Sequence, residues 1–274
     1  MTRSNGSKKY FDLASKLKID CAKCSGLCCV ALYCMKTDGF PEDKEAGKPC
    51  KNLMPDFRCA IHSQLAKDKM RGCLAYDCFG AGQMVTQLYY PNKDWLTKPK
   101  QANEIFEIFL IVFQLHQMLW YLIEAFSAVS DKHLISNIEM LICENQQMTS
   151  QCPNEILNLD VEKYRSKVNQ ILKKVIESIA VYSANGGKSK DFFGKNFKKA
   201  NLDGRDFSMS FLIGANLEEC SLRGANFLGA DMRDAGIQNT DLSQCIFLTQ
   251  MQINSAKGNA NTKIPINLSR PTFW

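Results

Sequence analysis

The residues best suited to chemistry in this chain are cysteines, which crowd into its first third. Nine of the 13 cysteines fall between positions 21 and 78, beginning with the segment CAKCSGLCC. In that segment Cys21 and Cys24 form a CxxC pair, and the adjacent Cys28 and Cys29 form a second pair. A CxxC loop lets two thiolates converge on one metal ion, about 2.3 Å from each sulfur. Gly26 between the pairs gives the backbone freedom for a tight turn, so the spacing predicts a metal site.

The charge around these cysteines favours thiolate chemistry. Residues 1–100 hold 17 Lys and Arg against 10 Asp and Glu, a net charge of +7. Positive charge lowers the pKa of thiols and offsets the negative charge of a metal–thiolate centre. A nucleic-acid surface is the rival interpretation, but no basic–aromatic interleaving or recognition helix stands out. The sequence therefore does not favour nucleic acid as a partner.

The first residues also bear on the state of the thiols. The segment MTRSNGSKKYFDL contains no apolar signal region. We therefore expect a cytoplasmic protein, because disulfides are rare in that compartment and dense cysteines there more often bind metal. Disulfides, or free thiols in a core, remain the alternatives.

The order of the cysteines resembles a known family. CxxC-x3-CC is followed by PCKNL, CAIH and two further cysteines, which is similar to the cysteine-cluster family expected to chelate zinc or iron, with a flagellin lysine methylase among its relatives. The likeness covers residues 21–80. The resemblance implies eight metal ligands: Cys21, Cys24, Cys28, Cys29, Cys50, Cys59, Cys73 and Cys78. Eight thiolates suit two four-coordinate sites, or one site with spare or bridging thiols.

Cys34 and His62 lie among these cysteines, and the spacing of the cysteines also bears on which metal binds. Cys34 has no counterpart in the motif and is expected to be a small buried hydrophobe. His62 follows Cys59 at a chelating distance, and its role as a ligand stays open. The spacing matches neither the ferredoxin run nor a zinc-finger pattern. We expect zinc as the cofactor, which suits an all-thiolate structural site, with iron or an iron–sulfur cluster as the alternative.

A second pattern lies near the C-terminus, where an apolar residue recurs every five positions. A period of five fits neither an α-helix nor a flat strand. The twelve apolar positions are Phe192, Phe197, Leu202, Phe207, Leu212, Leu217, Leu222, Phe227, Met232, Ile237, Leu242 and Phe247. Small residues stand two positions before the last eight of these: Ser210, Ala215, Cys220, Ala225, Ala230, Ala235, Thr240 and Cys245.

This pattern resembles the pentapeptide-repeat family, above all over SFLIGANLEECSLRGANFLGADMRDAG. The resemblance implies a right-handed quadrilateral β-helix over residues 190–254. Lys195 and Arg205 stand where small residues are expected, which suggests a first coil that is looser or covered by preceding chain. Residues 255–274 form a closing tail, in which Phe273 and Trp274 could cap the end of the stack.

The charge of the repeat limits its function. DNA mimicry, known among pentapeptide-repeat proteins, needs a long and strongly acidic rod. Residues 190–254 hold seven Lys and Arg against eight Asp and Glu, a net charge of −1. A scaffold that docks a protein partner, or a second copy in a homodimer, is the expected role, since a fold alone does not fix function.

The middle of the chain is predicted to form helices that support the cysteine-rich segment and the repeat. Residues 105–126 are apolar and long enough to span a bilayer, but Gln114, His116 and Gln117 would be costly in lipid. We therefore predict a buried helix and no integral membrane span. Asp131 and Asp160 are predicted to cap two further helices, which form a small bundle with the first.

Together these patterns predict a mixed fold. Its parts are a cysteine-cluster metal-binding domain (1–100), a helical bundle or connector (101–185), a pentapeptide-repeat β-helix (190–254) and a C-terminal capping tail (255–274), with residues 185–189 as a linker. The predicted function is a cytoplasmic zinc- or iron-binding protein with an interaction scaffold. The alternative is an iron-dependent or iron–sulfur metalloenzyme acting on a peptide or protein. The sequence shows no Ser/His/Asp or paired-carboxylate arrangement, so it assigns no catalytic residue.

Overall fold

Helices make up most of the regular structure of this protein, whose computed structural model describes residues 9–180 and 190–274. The predicted linker, residues 185–189, lies outside these ranges. The α-helices of the described residues are α1 (Phe11–Lys16), α2 (Leu27–Ala31), α3 (Arg71–Ala75), α4 (Ala81–Met84), α5 (Ala102–Ala128), α6 (Lys132–Thr149), α7 (Pro153–Leu157), α8 (Val161–Ala180) and α9 (Gln250–Ser255). Short 3-10 helices lie at Cys21–Lys23, Lys36–Asp38, His62–Gln64 and Pro99–Gln101, and a π-helix lies at Val85–Tyr89.

Helix α5 is the central element, and its burial agrees with the prediction from residues 105–126. It packs against α6 and α8 along its length. Val112, Leu115 and Leu122 on this helix are fully buried. Among the described residues, the segment Pro99–Ala128 is the one helix long and apolar enough to cross a membrane, and 61% of its most apolar window is buried inside the protein. The helix is thus part of the core.

The two predicted helix starts are confirmed by their caps. A carboxylate oxygen of Asp131 accepts a hydrogen bond of 2.8 Å from the amide of Leu134 at the start of α6. At the start of α8, Asp160 accepts a hydrogen bond of 2.9 Å from the amide of Lys163. Each cap satisfies one of the amides that a helix leaves without an internal partner. Asx caps therefore set the start of both helices that cover α5.

The repeat places its periodic residues inside. All twelve apolar positions and all eight small positions are buried. Residues 20 apart pair in parallel, as Asp191 does with Phe211 and Phe211 with Asp231. The amide of Phe192 donates to the carbonyl of Phe211 at 2.9 Å, and that of Leu212 to Asp231 at 2.8 Å. We call residues 190–247 the turn stack.

The predicted β-helix is wrong as a fold class, because the described residues contain no β-strand and no sheet. The turn stack is held by isolated bridges that involve one residue at a time. Each repeat of five residues gives one residue to a bridge and two to a turn. A β-turn spans four residues, which leaves no run of consecutive residues to form a strand. The protein is predominantly helical, with a segment of stacked turns.

The two residues that break the repeat pattern cover aromatic rings. The guanidinium of Arg205 lies 5.1 Å from the ring centre of Phe192, 5.3 Å from that of Phe197 and 5.2 Å from that of Phe207. Lys195 lies over the first two rings, at 5.7 and 5.3 Å. Cations are attracted to the faces of aromatic rings at such distances. Cationic side chains thus take the place of small residues at the beginning of the turn stack.

The opposite end of the turn stack closes with a short helix and the tail. Thr249 and Gln252 form a capping box at the start of α9. The side-chain amide of Gln252 donates to the carbonyls of Phe227 and Ala230, at 2.8 and 2.9 Å. The indole of Trp274 packs against Gly258 and donates to a carbonyl of the tail. The run of apolar residues at every fifth position therefore ends at Phe247, just before this closing helix.

The core runs without interruption from the helices into the turn stack. The indole of Trp120 on α5 donates to the carbonyl of Leu248 at 3.1 Å. The ring of Tyr121 meets that of Phe247 edge-on, with centres 6.3 Å apart. Helix α9 also packs on α3, within the cysteine-rich segment. The predicted division into four parts stays a prediction, and the apolar packing crosses its boundaries.

Candidate metal centre

The first four cysteines are presented by two short turns of helix. The carboxylate of Asp20 caps the 3-10 helix that carries Cys21, accepting from the amide of Ala22 at 3.0 Å. The amide of Cys24 donates to the carbonyl of Cys21 at 3.4 Å, which closes the CxxC loop. Gly26 then adopts a left-handed backbone, with φ of 68°, at the start of α2. The predicted tight turn between the pairs is therefore present, and it leads directly into the helix that carries the second pair.

Three of the thiols face the core. Cys78 is buried, and Cys24 and Cys28 pack against the same apolar cluster, which includes Val85 and Ile105. A Cβ atom added to Gly82 would lie 2.6 Å from the Sγ of Cys24 and 3.8 Å from that of Cys78. The absence of a side chain at Gly82 thus makes room for both sulfurs. Cys21 is exposed, but with Cys24 it adds to the raised pKa of Cys78. We call Cys21, Cys24, Cys28 and Cys78 the inner set.

A second set consists of Cys29 on α2, Cys73 on α3 and two cysteines of the loops between these helices. The amide of Cys50 donates to the carbonyl of Cys29 at 2.9 Å. Cys59 forms a bridge with Leu53, whose amide in turn donates to the carbonyl of Cys50 at 2.9 Å. Backbone hydrogen bonds therefore bring three cysteines together that are far apart in sequence. We call Cys29, Cys50, Cys59 and Cys73 the outer set.

The pKa values of the thiols report crowding in each set. Burial raises the pKa of Cys78 to about 12, and the neighbouring Asp77, Cys24 and Cys21 raise it further. Burial also raises the pKa of Cys21 to about 11, and both Cys24 and Cys29 add to the rise. In the outer set, burial raises the pKa of Cys73 to about 12, with added repulsion from Cys29, Cys34, Cys50 and Cys59.

Cys28 of the inner set and Cys29 of the outer set are adjacent in sequence and connect the two sets. The sulfurs of Cys28 and Cys29 are 3.9 Å apart. A hydrogen bond between them raises the pKa of Cys28 and lowers that of Cys29. Lys44 lowers the pKa of Cys29 further. The ammonium group of Lys44 is held nearby, donating to the carbonyls of Val30, Leu32, Glu45 and Lys48.

One feature of the residues present, the hydroxyl of Tyr76, fits a thiophilic metal. The hydroxyl of Tyr76 is buried and has no hydrogen-bond partner among the described residues, and Cys28, Cys78 and Cys24 are close enough to raise its pKa after burial, the largest cause. Such an orphaned donor is expected beside a thiolate. A bound cation would deprotonate the thiols that coordinate it. Its positive charge would then offset the repulsion between the thiolates of a set.

The thiols are not preassembled. Across residues 9–180 and 190–274, no three His, Cys, Asp or Glu side chains form a group spaced to hold a metal ion. Metal binding would therefore require the thiols of a set to rotate towards one another. The predicted ligands thus lie in one cysteine-rich region, in which Cys29 influences thiols of both sets, and their ligand role stays a prediction.

Cys34 and His62 lie at the margin of the outer set. Cys34 is partly buried and its backbone pairs with Lys44. Burial is the main cause of the raised pKa of Cys34; Lys44 opposes the rise, and the thiols of Cys50 and Cys29 add to it. His62 is exposed on the surface, so its ring does not enter either set as placed.

Sequence reasoning missed Tyr76 and Lys44, because neither belongs to a motif; only their folded positions link them to the thiols.

Comparison with known proteins supports one of the two resemblances directly. A family model described as pentapeptide repeats matches residues 212–247, with eight copies. A protein of Bacillus subtilis (strain 168), described as "Uncharacterized protein YybG", is 44% identical over 271 residues, covering 97% of this chain and 96% of that protein. The chain belongs to the same family as this Bacillus protein. The repeat is thus shown, and the resemblance of residues 21–80 to a metal-chelating family stays a prediction.

Proposed function

We propose that this protein binds a thiophilic metal ion, zinc in the first instance, through its inner and outer thiol sets. The observation that carries the proposal is the proximity of cysteines from distant positions: the sulfurs of Cys28 and Cys29 lie 3.9 Å apart, and the backbones of Cys29 and Cys50 are hydrogen-bonded. Nearby, the buried hydroxyl of Tyr76 has no hydrogen-bond partner among the described residues. Thiolates are the ligands that zinc and iron–sulfur centres prefer. Residues 32–70 hold only short 3-10 helices, so a bound ion would cross-link loops that have little regular structure of their own.

Elemental analysis with an absorption spectrum, on protein purified without oxygen, tests this proposal. We expect stoichiometric zinc in a colourless protein, and a lower metal content in Cys24→Ser. Cys220→Ala is the matched control, because that thiol is buried in the turn stack and donates to the carbonyl of Phe197. Iron with visible charge-transfer bands would shift the proposal to the metalloenzyme. A parent protein without metal, or full metal content in Cys24→Ser, would overturn it.

The second part of the proposal concerns the turn stack, which we take to be a contact surface for a protein partner or a second copy. Phe193, Met209 and Phe211 are exposed on its first repeats, with 71%, 69% and 56% of their surfaces accessible. Apolar surface of this kind favours association. Light scattering of the parent and of Phe193→Ser is the test: a lower mass in the variant supports a dimer, and equal monomer masses contradict one.

The proposed location is the cytoplasm. All 13 cysteines of the chain lie in the described ranges, and none of them forms a disulfide there. Reduced cysteines at this density agree with a reducing compartment.

A further inference from the structure

We propose that the beginning of the turn stack docks an acidic segment of another protein, rather than a second copy of this chain. We call the surface formed by Phe193, Lys195, Arg205, Met209 and Phe211 the open end. This inference rests on the contact surface proposed above for the turn stack and adds the chemistry of the partner.

The far end of the turn stack is closed by the chain itself. Lys257 and Lys263 of the tail continue the ladder of bridges, pairing with Gly236 and Asp241. The same two lysines form ion pairs there, Lys257 with Asp234 at 2.9 Å and Lys263 with Asp241 at 3.3 Å. Stacked repeats need such terminal caps, because each repeat is stabilised by its neighbours.

The first repeats have no such layer among the described residues. The backbone amides of Asn196, Asn201 and Asp206 donate no hydrogen bond there. The equivalent amide one layer further, that of Asn216, donates to the carbonyl of Lys195 at 2.9 Å. Asn196 and Asn201 are also exposed. An exposed row of unpaired backbone groups is a template for pairing with another chain.

The open end carries two cations without a carboxylate. The other cations of the first repeats are in ion pairs, Lys190 with Asp206, Lys198 with Glu218 and Lys199 with Glu219. Lys195 and Arg205 form no ion pair with a described residue, and both lie over the rings of Phe192 and Phe197. Two positive charges held beside unpaired backbone amides favour a partner that supplies Asp or Glu.

Apolar side chains lie beside these cations. Phe211 forms a bridge with Asp191, two residues before Phe193, so both exposed rings lie on the same side of the turn stack. The sulfur of Met209 lies against Gly229 in the next layer. Aromatic residues, Met and Arg are the residue types enriched at protein interfaces. The open end therefore combines apolar anchors with unpaired positive charge.

A second copy matches this surface poorly. Two open ends facing each other would bring Lys195 and Arg205 of one copy against the same cations of the other, and like charges across an interface are unfavourable. The nearby carboxylates are already engaged: Asp206 is in an ion pair, and Asp203 accepts from the hydroxyl of Ser221 at 2.6 Å. A different protein with its own free carboxylates fits the charge better.

Selection of random peptides on the immobilised full-length protein tests this inference. We expect the enriched peptides to share Asp or Glu beside apolar residues. Their affinity, measured by fluorescence anisotropy, should fall about fivefold in Lys195→Gln, as for loss of an exposed ion pair. It should fall about tenfold in Phe193→Ser, as for loss of an apolar anchor. Lys257→Gln, at the closed end, is the matched control and should bind like the parent.

A second measurement uses the parent protein alone and does not depend on the folding of variants. An enriched peptide in which every Asp and Glu is replaced by Asn and Gln should bind the parent about fivefold more weakly or worse. Higher salt should weaken the acidic peptide more than its neutral counterpart, because salt screens charges at a surface.

The outcomes separate this inference from the contact surface itself. Neutral or basic enriched peptides, no enrichment, or equal affinity of the acidic and neutral peptides overturns the acidic partner. Affinity that is unchanged in Phe193→Ser overturns the contact surface as well. A parent dimer that Phe193→Ser converts to a monomer keeps the contact surface, assigns it to a second copy and overturns the inference.

Discussion

Tyr76 is a single buried group that would report on the proposed metal. Its hydroxyl has no partner among the described residues, and burying such a group without a hydrogen bond costs about 1–3 kcal/mol. Its ring is held by stacking on Phe113, so a phenylalanine would keep the same packing. A metal-bound thiolate nearby would give the hydroxyl an acceptor, and hydrogen bonds to charged groups are worth about 1.5–3 kcal/mol.

We therefore expect Tyr76→Phe to have opposite effects in the two metal states. Without metal, the variant should be as stable as the parent or more stable by about 1 kcal/mol. With zinc, its metal affinity should fall about 10-fold, as for other groups that support metal ligands. Urea unfolding and competition for zinc measure the two effects, and Tyr33→Phe at an exposed position is the control. Equal changes in both states would contradict a role beside the metal.

At the scale of elements, α5 carries a titratable group into the core. His116 is buried, and its Nδ1 lies 2.7 Å from the carbonyl of Phe79, so Nδ1 carries the proton and donates. Its Nε2 lies 3.1 Å from the sulfur of Met84. Burial lowers the pKa of His116 to about 4, against a smaller opposing effect of the Phe79 carbonyl.

This histidine should destabilise the protein in acid. Its folded pKa lies below the unfolded value of about 6.5, so the unfolded chain takes up a proton first and stability falls as the pH drops from 6.5 towards 4. The shift corresponds to about 3 kcal/mol. Urea unfolding across this range should show that much less acid sensitivity in His116→Gln than in the parent. His133→Gln, at an exposed position, should retain the full acid sensitivity; identical profiles for all three proteins would contradict the assignment.

The turn stack gives a second prediction at this scale. Leu217 is fully buried, so Leu217→Asp would place a charge without a partner among apolar side chains. We expect a loss of at least about 3 kcal/mol in the free energy of unfolding, as for other severe core substitutions. Glu218 next to it forms an ion pair of 2.6 Å with Lys198 at the surface, and Glu218→Asp should cost less than about 1 kcal/mol. Equal unfolding curves would mean that the phase of the repeat is wrong.

The sequence predicts those elements whose signal lies in residues close together along the chain. The inward positions from Phe192 to Phe247 follow from a period of five, and the caps Asp131 and Asp160 follow from residue type. The absence of strands could not be read from that period, because turns take up the residues between single bridges. The two thiol sets likewise depend on long-range backbone bonds, such as that from Cys50 to Cys29, which no spacing reveals.

At the scale of the whole molecule, the helical core links the cysteine-rich loops to the turn stack. Arg71 beside the outer set lies 3.3 Å from Asp234 in the turn stack, and α5 reaches the last repeats through Trp120. Exposed ion pairs add little stability, so the apolar packing of α5 is the main connection. Metal removal should therefore loosen the loops of residues 21–78 while the helices and the turn stack hold together.

Mapping of thiol alkylation by mass spectrometry, before and after chelation, tests the proposed metal binding most directly. In the zinc-loaded protein we expect Cys143 and Cys152, which are exposed, to react and the inner and outer sets to be protected. Chelation should release zinc and make all eight of those thiols reactive, while Cys220 and Cys245, buried in the turn stack, stay protected. Equal alkylation of the eight thiols before and after chelation would contradict the account.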